Sequence, residues 1–209
     1  MAQEFVKVSG RLNDEAFYRL VACAAPPGGA CQKPMLRWDE TTRQSIGIML
    51  ASVPPDLPPY KRRLFDAGID NAVAQINGLD AGVQLVRVVA QAEITIVVVD
   101  TRPGEVVTGT GIPALDDAVL PLGRVAVSIE DEHIRQGFIA ISGWIDHRAI
   151  RSVVLEEMTQ ALGLLTDIRS PAYRLSIFSE DGNAVTRLTG QDAMAIRRHY
   201  AGDGEGERE

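Results

Sequence analysis

The hydrophobic positions of this chain alternate between helical and strand spacing. Apolar residues recur every three to four positions over residues 15–24 and again over residues 60–76, which predicts two helices. In the second helix the apolar positions are Leu64, Ile69, Val73 and Ile76. Short runs rich in β-branched residues predict strands. These runs cover residues 35–38, 45–51, 84–89, 93–100, 124–130 and 138–142.

The order of these elements predicts an α+β fold. Residues 94–99 are β-branched almost throughout, which is typical of a buried central strand. The Gly- and Pro-punctuated residues 101–122 that follow have no regular pattern. A helix over residues 147–162, with Asp146 as its N-cap, and a closing helix over residues 193–200 complete the pattern. We therefore expect a mixed sheet packed on a long helix, at residues 35–201. A helix-and-loop extension, residues 1–34, precedes it, and an acidic, disordered tail, residues 202–209, follows.

The helix predicted at residues 147–162 has the spacing of a zinc-protease motif without its ligands. In H-E-x-x-H, two histidines one turn apart hold Zn²⁺ and the glutamate is the general base. Here Glu157 occupies the position of the base, while Glu156 and Gln160 occupy the histidine positions. The position of a third histidine falls on Thr166, with Asp167 beside it. The absence of imidazoles argues against a zinc-dependent protease and leaves enzymatic activity open.

Two further segments follow the order found in the same enzymes. Ser176-Ile177-Phe178 stands where a Ser-Ile-Met turn is expected, and residues 188–192 read L-T-x-x-D before the closing helix. Thr189 and Asp192 are spaced as a capping box. Together with E-E-x-T-Q-x-L-G-L, these segments resemble an uncharacterised bacterial envelope family with a zincin-like domain related to metzincins and matrixins. The resemblance implies a zincin-like fold and a periplasmic or secreted protein whose leader is absent from this sequence, but no established activity.

The degenerate ligand positions allow two interpretations. In the first, Glu156, Gln160, Thr166 and Asp167 hold the helix against the loop that follows it. In the second, they form an oxygen-donor site for a divalent cation such as Ca²⁺ or Zn²⁺, and Glu157 is the general base of a hydrolase. Under the first interpretation Glu157 is solvated or paired with an arginine. Its candidate partners are Arg148, Arg151 and Arg174.

These features predict a pseudo-metalloprotease without a cofactor. It would bind a protein or peptide partner, or act as an assembly module, in the bacterial cell envelope. The hydrolase is the alternative. A third hypothesis is a structural part of an envelope assembly, in which residues 101–122 are buried against a partner.

The charge and the cysteine content limit which partners and which cellular compartments fit this sequence. The 209 residues carry a formal net charge of −7, which argues against nucleic acid, and no apolar run is long enough to span a membrane. Cys23 and Cys31 bracket an Ala-Pro-Pro-Gly-Gly segment, and are either joined in a disulfide or two buried thiols. Residues 1–4 are polar, so a cytoplasmic protein also fits. The three histidines are scattered, and we expect His199 to interact with the dipole of the closing helix.

Overall fold

The computed structural model describes residues 5–182 and 184–201, and these form a mixed sheet with helices packed around it. The predicted tail, residues 202–209, lies outside the described residues. The strands are β1 (Phe5–Lys7), β2 (Arg37–Trp38), β3 (Ile46–Ser52), β4 (Leu85–Arg87), β5 (Ile94–Val99), β6 (Gly123–Glu130), β7 (His133–Ser142) and β8 (Asp167–Arg169). The helices are α1 (Asp14–Cys23), α2 (Pro59–Asn77), α3 (Ile150–Gln160) and α4 (Gly190–Tyr200), with two short 3-10 turns at Thr42–Gln44 and Pro171–Tyr173.

The main sheet has the strand order β4, β3, β5, β7, β6, and β2 lies beside the start of β7. All pairings are parallel except that between β6 and β7, which is antiparallel. β5 is flanked by β3 and β7, as its β-branched sequence predicted. β6 is an edge strand, and in the described part of the chain its outer side pairs with no other strand. This arrangement confirms the α+β class.

The long helix α2 packs on α3, and both contribute to one hydrophobic core with the sheet. Gly68 of α2 lies close to Val154 of α3, since a Cβ at Gly68 would be 3.5 Å from the nearest atom of Val154. The predicted apolar face of α2 was wrong at Leu64, which is 37% exposed, because the neighbouring Phe65 faces the core.

The N-terminal segment packs into the same core. α1 begins at the N-cap Asn13, whose side chain accepts a hydrogen bond from Ala16 N, and it packs against α4. β1 pairs with β8 in a small parallel sheet. Cys23, the last residue of α1, forms a disulfide with Cys31.

Residues 101–122 cover the other face of the sheet. They form one isolated bridge, Val106 with Val119, and otherwise lack regular structure in the described chain, as the sequence predicted. Val107, Leu115 and Leu120 are buried in a second small core, against Val97 and Ala140 of the sheet. This segment therefore closes the face of the sheet opposite α3.

The start of α3 differs from the prediction. The helix begins at Ile150 after the N-cap position Ala149, so Asp146 does not cap it. Instead, Asp146 accepts a hydrogen bond from Arg148 N at 2.8 Å in the preceding turn, and this bond lowers its pKa. None of the helices that the structure describes has the length and hydrophobicity needed to cross a membrane.

Candidate functional site

A cleft of about 360 Å³ lies between the start of β6 and the last two turns of α3, and we call it the β6 cleft. The start of β8 and the segment Ser179–Gly182 complete its wall. The polar side chains of the lining are those of Arg124, Glu156, Glu157, Gln160, Asp167, Ser179 and Glu180.

The β6 cleft brings together most of the residues selected from the motif spacing. Glu156, Glu157 and Gln160 line it from α3, and Asp167 lines it from β8. Thr166 lies elsewhere: it is 1% exposed, and its backbone N–H donates to Val21 O at 3.3 Å. The Thr166 hydroxyl has no hydrogen-bond partner among the described residues. Thr166 precedes β8 and is bonded to α1, whereas Asp167 is the first residue of β8 and lines the cleft.

A hydrogen bond joins two of the degenerate ligand positions. Gln160 Nε2 donates to Asp167 Oδ1 at 2.9 Å, linking the last residue of α3 to the first residue of β8. Ca²⁺ takes six to eight oxygen ligands. Within residues 5–182 and 184–201, no group of three or more His, Cys, Asp or Glu side chains is placed to hold a metal ion. Two of the degenerate ligand positions are thus joined by a hydrogen bond between α3 and β8.

Glu157 lies against the backbone of the first residue of β6. Its side chain is 6% exposed. A Cβ added at Gly123 would lie only 2.7 Å from both Cγ and Cδ of Glu157. Glycine at position 123 thus makes room for the buried carboxyl group, a role that α3 alone could not reveal.

The arginine near Glu157 is not one of those expected from the sequence. Arg151 Nε donates to Asn71 Oδ1 of α2 at 3.1 Å, and Arg148 and Arg174 are exposed. The positive charge of Arg124, in β6, lowers the pKa of Glu157 instead. Arg124 could not be identified from the sequence, because β6 is distant from α3 along the chain and lies beside it only in the folded sheet.

Burial raises the pKa of Glu157 well above its ordinary value. The negative charges of Glu156 and then Asp167 raise this pKa further, while the positive charge of Arg124 lowers it by less. The protonated form of Glu157 is therefore favoured compared with a solvated glutamate.

A sequence model of one protein family matches residues 2–203, nearly the whole chain. The family is described as "Protein of unknown function (DUF2927)". The chain belongs to this family. The prediction of an uncharacterised family is thereby confirmed. A comparison with curated proteins finds no match.

The DUF2927 protein bonds the Ser176-Ile177-Phe178 turn to α4. Asp192 accepts hydrogen bonds from Ser176 Oγ at 2.6 Å and from Ile177 N at 2.9 Å. Thr189 occupies the N-cap position of α4, but Asp192 bonds this turn rather than completing a capping box. Burial raises the pKa of Asp192, and the two hydrogen bonds oppose that shift.

His199 has a different role from the one expected. It is fully buried, and its Nε2 lies 2.8 Å from Leu36 O while its Nδ1 lies 3.3 Å from the Tyr18 hydroxyl. Burial lowers the pKa of His199 to about 4, so the ring is neutral at neutral pH and adds no charge to the helix dipole. Gly163 approaches this ring closely in a left-handed conformation, φ 103°.

Proposed function

We propose that this DUF2927 protein is a catalytically degenerate zincin-like domain, a pseudo-metalloprotease of the bacterial cell envelope that binds an extended segment of a protein partner along β6. The observation that carries the proposal is the unpaired outer side of β6 beside a cleft lined by three degenerate ligand positions, Glu156, Gln160 and Asp167. The spacing of the α3 motif and the order of the elements support the zincin relation.

The backbone of β6 offers hydrogen-bonding groups to such a segment. Ser142 N donates to Leu122 O at 3.0 Å, in register with the pairing of β6 and β7. Alternate residues of an antiparallel strand direct their N–H and C=O groups to opposite sides. The groups of Gly123, Val125 and Val127 therefore point away from β7. A peptide of about five residues would span them as an added strand.

The strand-addition proposal can be tested with an acetylated and amidated peptide, Thr-Val-Gln-Val-Thr, and two variants at one position. Val125→Pro removes the outward N–H while the pairing with β7 remains, since proline is tolerated on edge strands. Val125→Ala keeps the N–H and removes most of the side chain. We expect the wild type and Val125→Ala to bind the peptide, and folded Val125→Pro to lose binding. Equal binding by both variants would contradict strand addition.

The proposed loss of metal chemistry is supported by the hydrogen bond between Gln160 and Asp167. It is tested by elemental analysis of protein purified without chelator and by thermal shifts with Zn²⁺, Ca²⁺, Mg²⁺ and Mn²⁺. We expect no stoichiometric metal and no change in Tm. A bound metal, or a rise of several degrees with one ion, would contradict a metal-free cleft.

One observation favours the alternative, a hydrolase that uses Glu157: a strongly perturbed carboxyl group in a cleft is typical of catalytic sites. This alternative predicts a metal-dependent rise in Tm and a hydrolytic activity that Glu157→Gln abolishes. If Glu157→Gln and Glu156→Ala leave every measured property unchanged, the alternative is wrong.

The location in the envelope is supported by the disulfide between Cys23 and Cys31, since disulfides persist in oxidising compartments. It is tested by adding a maleimide reagent to intact cells that express the full-length protein and then denaturing the protein. We expect both cysteines to resist the reagent until a reductant is added. Immediate labelling of both would contradict a periplasmic or secreted location.

A further inference from the structure

We propose that the partner of the β6 cleft is an extended peptide segment that places a lysine or arginine side chain against Glu157. This inference rests on the peptide binding proposed above and names the chemistry of the residue that enters the cleft.

The lining of the β6 cleft carries more acidic than basic side chains. Arg124 is its cationic side chain, while Glu156, Glu157, Asp167 and Glu180 bring four carboxyl groups. Glu180 is bonded to Arg169 Nη2 at 2.8 Å. Even with Glu157 protonated, the negative charges of Glu156 and Asp167 outnumber the one guanidinium of the lining.

The carboxyl group of Glu157 is buried at the inner wall of this cleft. The carboxyl group lines the cleft although Glu157 is only 6% exposed, and burial is the main cause of its raised pKa. The charged form of a buried carboxyl group is unfavourable because its oxygens lose their hydration. A ligand that donates N–H groups at this point would remove that cost.

The electrical potential at Glu157 favours a cationic donor over a neutral one. The charge of Glu156 acts on Glu157 more strongly than that of Arg124, and Asp167 adds to it. The potential at the carboxyl group is therefore negative. An ammonium or guanidinium group gains both from this potential and from charge-assisted hydrogen bonds.

The size and the ligand set of the cleft distinguish an organic cation from a metal ion. A volume of about 360 Å³ is at the lower end of the roughly 300–1,000 Å³ of small-molecule sites, and suits one long side chain. Asp167 Oδ1 already accepts a hydrogen bond from Gln160 Nε2, which reduces the oxygen ligands left for a metal. An ammonium group needs only acceptors for its three N–H bonds.

The test uses four peptides, Thr-Val-X-Val-Thr with X as Lys, Arg, Gln or Glu, at low ionic strength. We expect the Lys and Arg peptides to bind at least about tenfold more tightly than the Gln peptide, and the Glu peptide to bind most weakly. Glu157→Gln and Glu156→Gln should each reduce the preference for Lys over Gln to less than about threefold. The matched control is Glu130→Gln, which changes the net charge equally at the far end of β6 and should keep the preference.

The outcomes separate this inference from the proposed function. Equal binding of all four peptides would overturn the proposed preference for a basic side chain, while supporting strand addition. A preference for Lys that persists in both cleft variants, or that Glu130→Gln also removes, would overturn the assignment to Glu157. Failure of all four peptides to bind would overturn strand addition as well.

Discussion

Replacement of Gly123 by alanine should destabilise the protein through Glu157 alone. The added Cβ would lie 2.7 Å from Cγ and Cδ of Glu157, closer than carbon atoms approach in folded proteins. The carboxyl group would have to move out of its place between β6 and α3. Overpacking of this kind costs about 1–3 kcal/mol. For a chain of this size, each kcal/mol corresponds to a fall in Tm of roughly 2–4 °C.

A double-mutant cycle measures whether the cost arises from this contact. Glu157→Ala removes the atoms that the new Cβ would meet, and alanine is favoured over glycine within a strand by about 0.5–1 kcal/mol. In that background Gly123→Ala should therefore be neutral or stabilising. Glu157→Gln is the matched control, because it removes the charge but keeps the size and hence the clash.

The free energy of unfolding of these variants is obtained from urea denaturation followed by tryptophan fluorescence. We expect a coupling energy of at least about 1 kcal/mol between positions 123 and 157 with Glu157→Ala, and little coupling with Glu157→Gln. Equal destabilisation by Gly123→Ala in the wild type and in Glu157→Ala would refute the packing described for the cleft.

Three further predictions concern ionisation and the disulfide. Because burial raises the pKa of Glu157, its contribution to stability is present at low pH and is lost as pH rises through the raised value. The stability of Glu157→Gln relative to the wild type should thus increase between about pH 4 and pH 8, and an unchanged difference in urea denaturation would contradict it. Burial lowers the pKa of His199 to about 4. Its contribution to the stability of the fold is therefore complete above the pKa of histidine in the unfolded chain, about 6.5. The free energy of unfolding should fall by about 3 kcal/mol as pH falls from about 6.5 to 4. The His199→Gln variant should lack this fall in the same assay. The double variant Cys23→Ser, Cys31→Ser should lose about 2–3 kcal/mol, measured as a fall in Tm; a Tm unchanged from that of the oxidised wild type would contradict it.

Long periodic elements were predicted well because local sequence determines them. The pattern over residues 60–76 predicted α2 to within one residue at each end, and the β-branched run predicted β5. The start of α3 was wrong, since Asp146 forms its own turn with Arg148 before the helix begins. His199 was misjudged because its burial depends on Leu36, which is distant along the chain.

The candidate site was predictable only in part. Helical spacing placed Glu156 and Gln160 on neighbouring faces of α3, and both line the cleft. Gly123 and Arg124 escaped the sequence analysis because nothing local indicates that β6 packs beside α3. The environment of Glu157 depends on these two residues, so its perturbed ionisation emerges only from the folded structure.

The most direct test of strand addition is residue-resolved amide hydrogen exchange with and without the peptide Thr-Val-Lys-Val-Thr. We predict that the amides of Gly123, Val125 and Val127 become protected when the peptide binds. Those of Arg124 and Ala126, which face β7, should change little. Protection confined to residues 101–122, or an unchanged exchange rate at Gly123, Val125 and Val127 with the peptide bound, would contradict binding along β6.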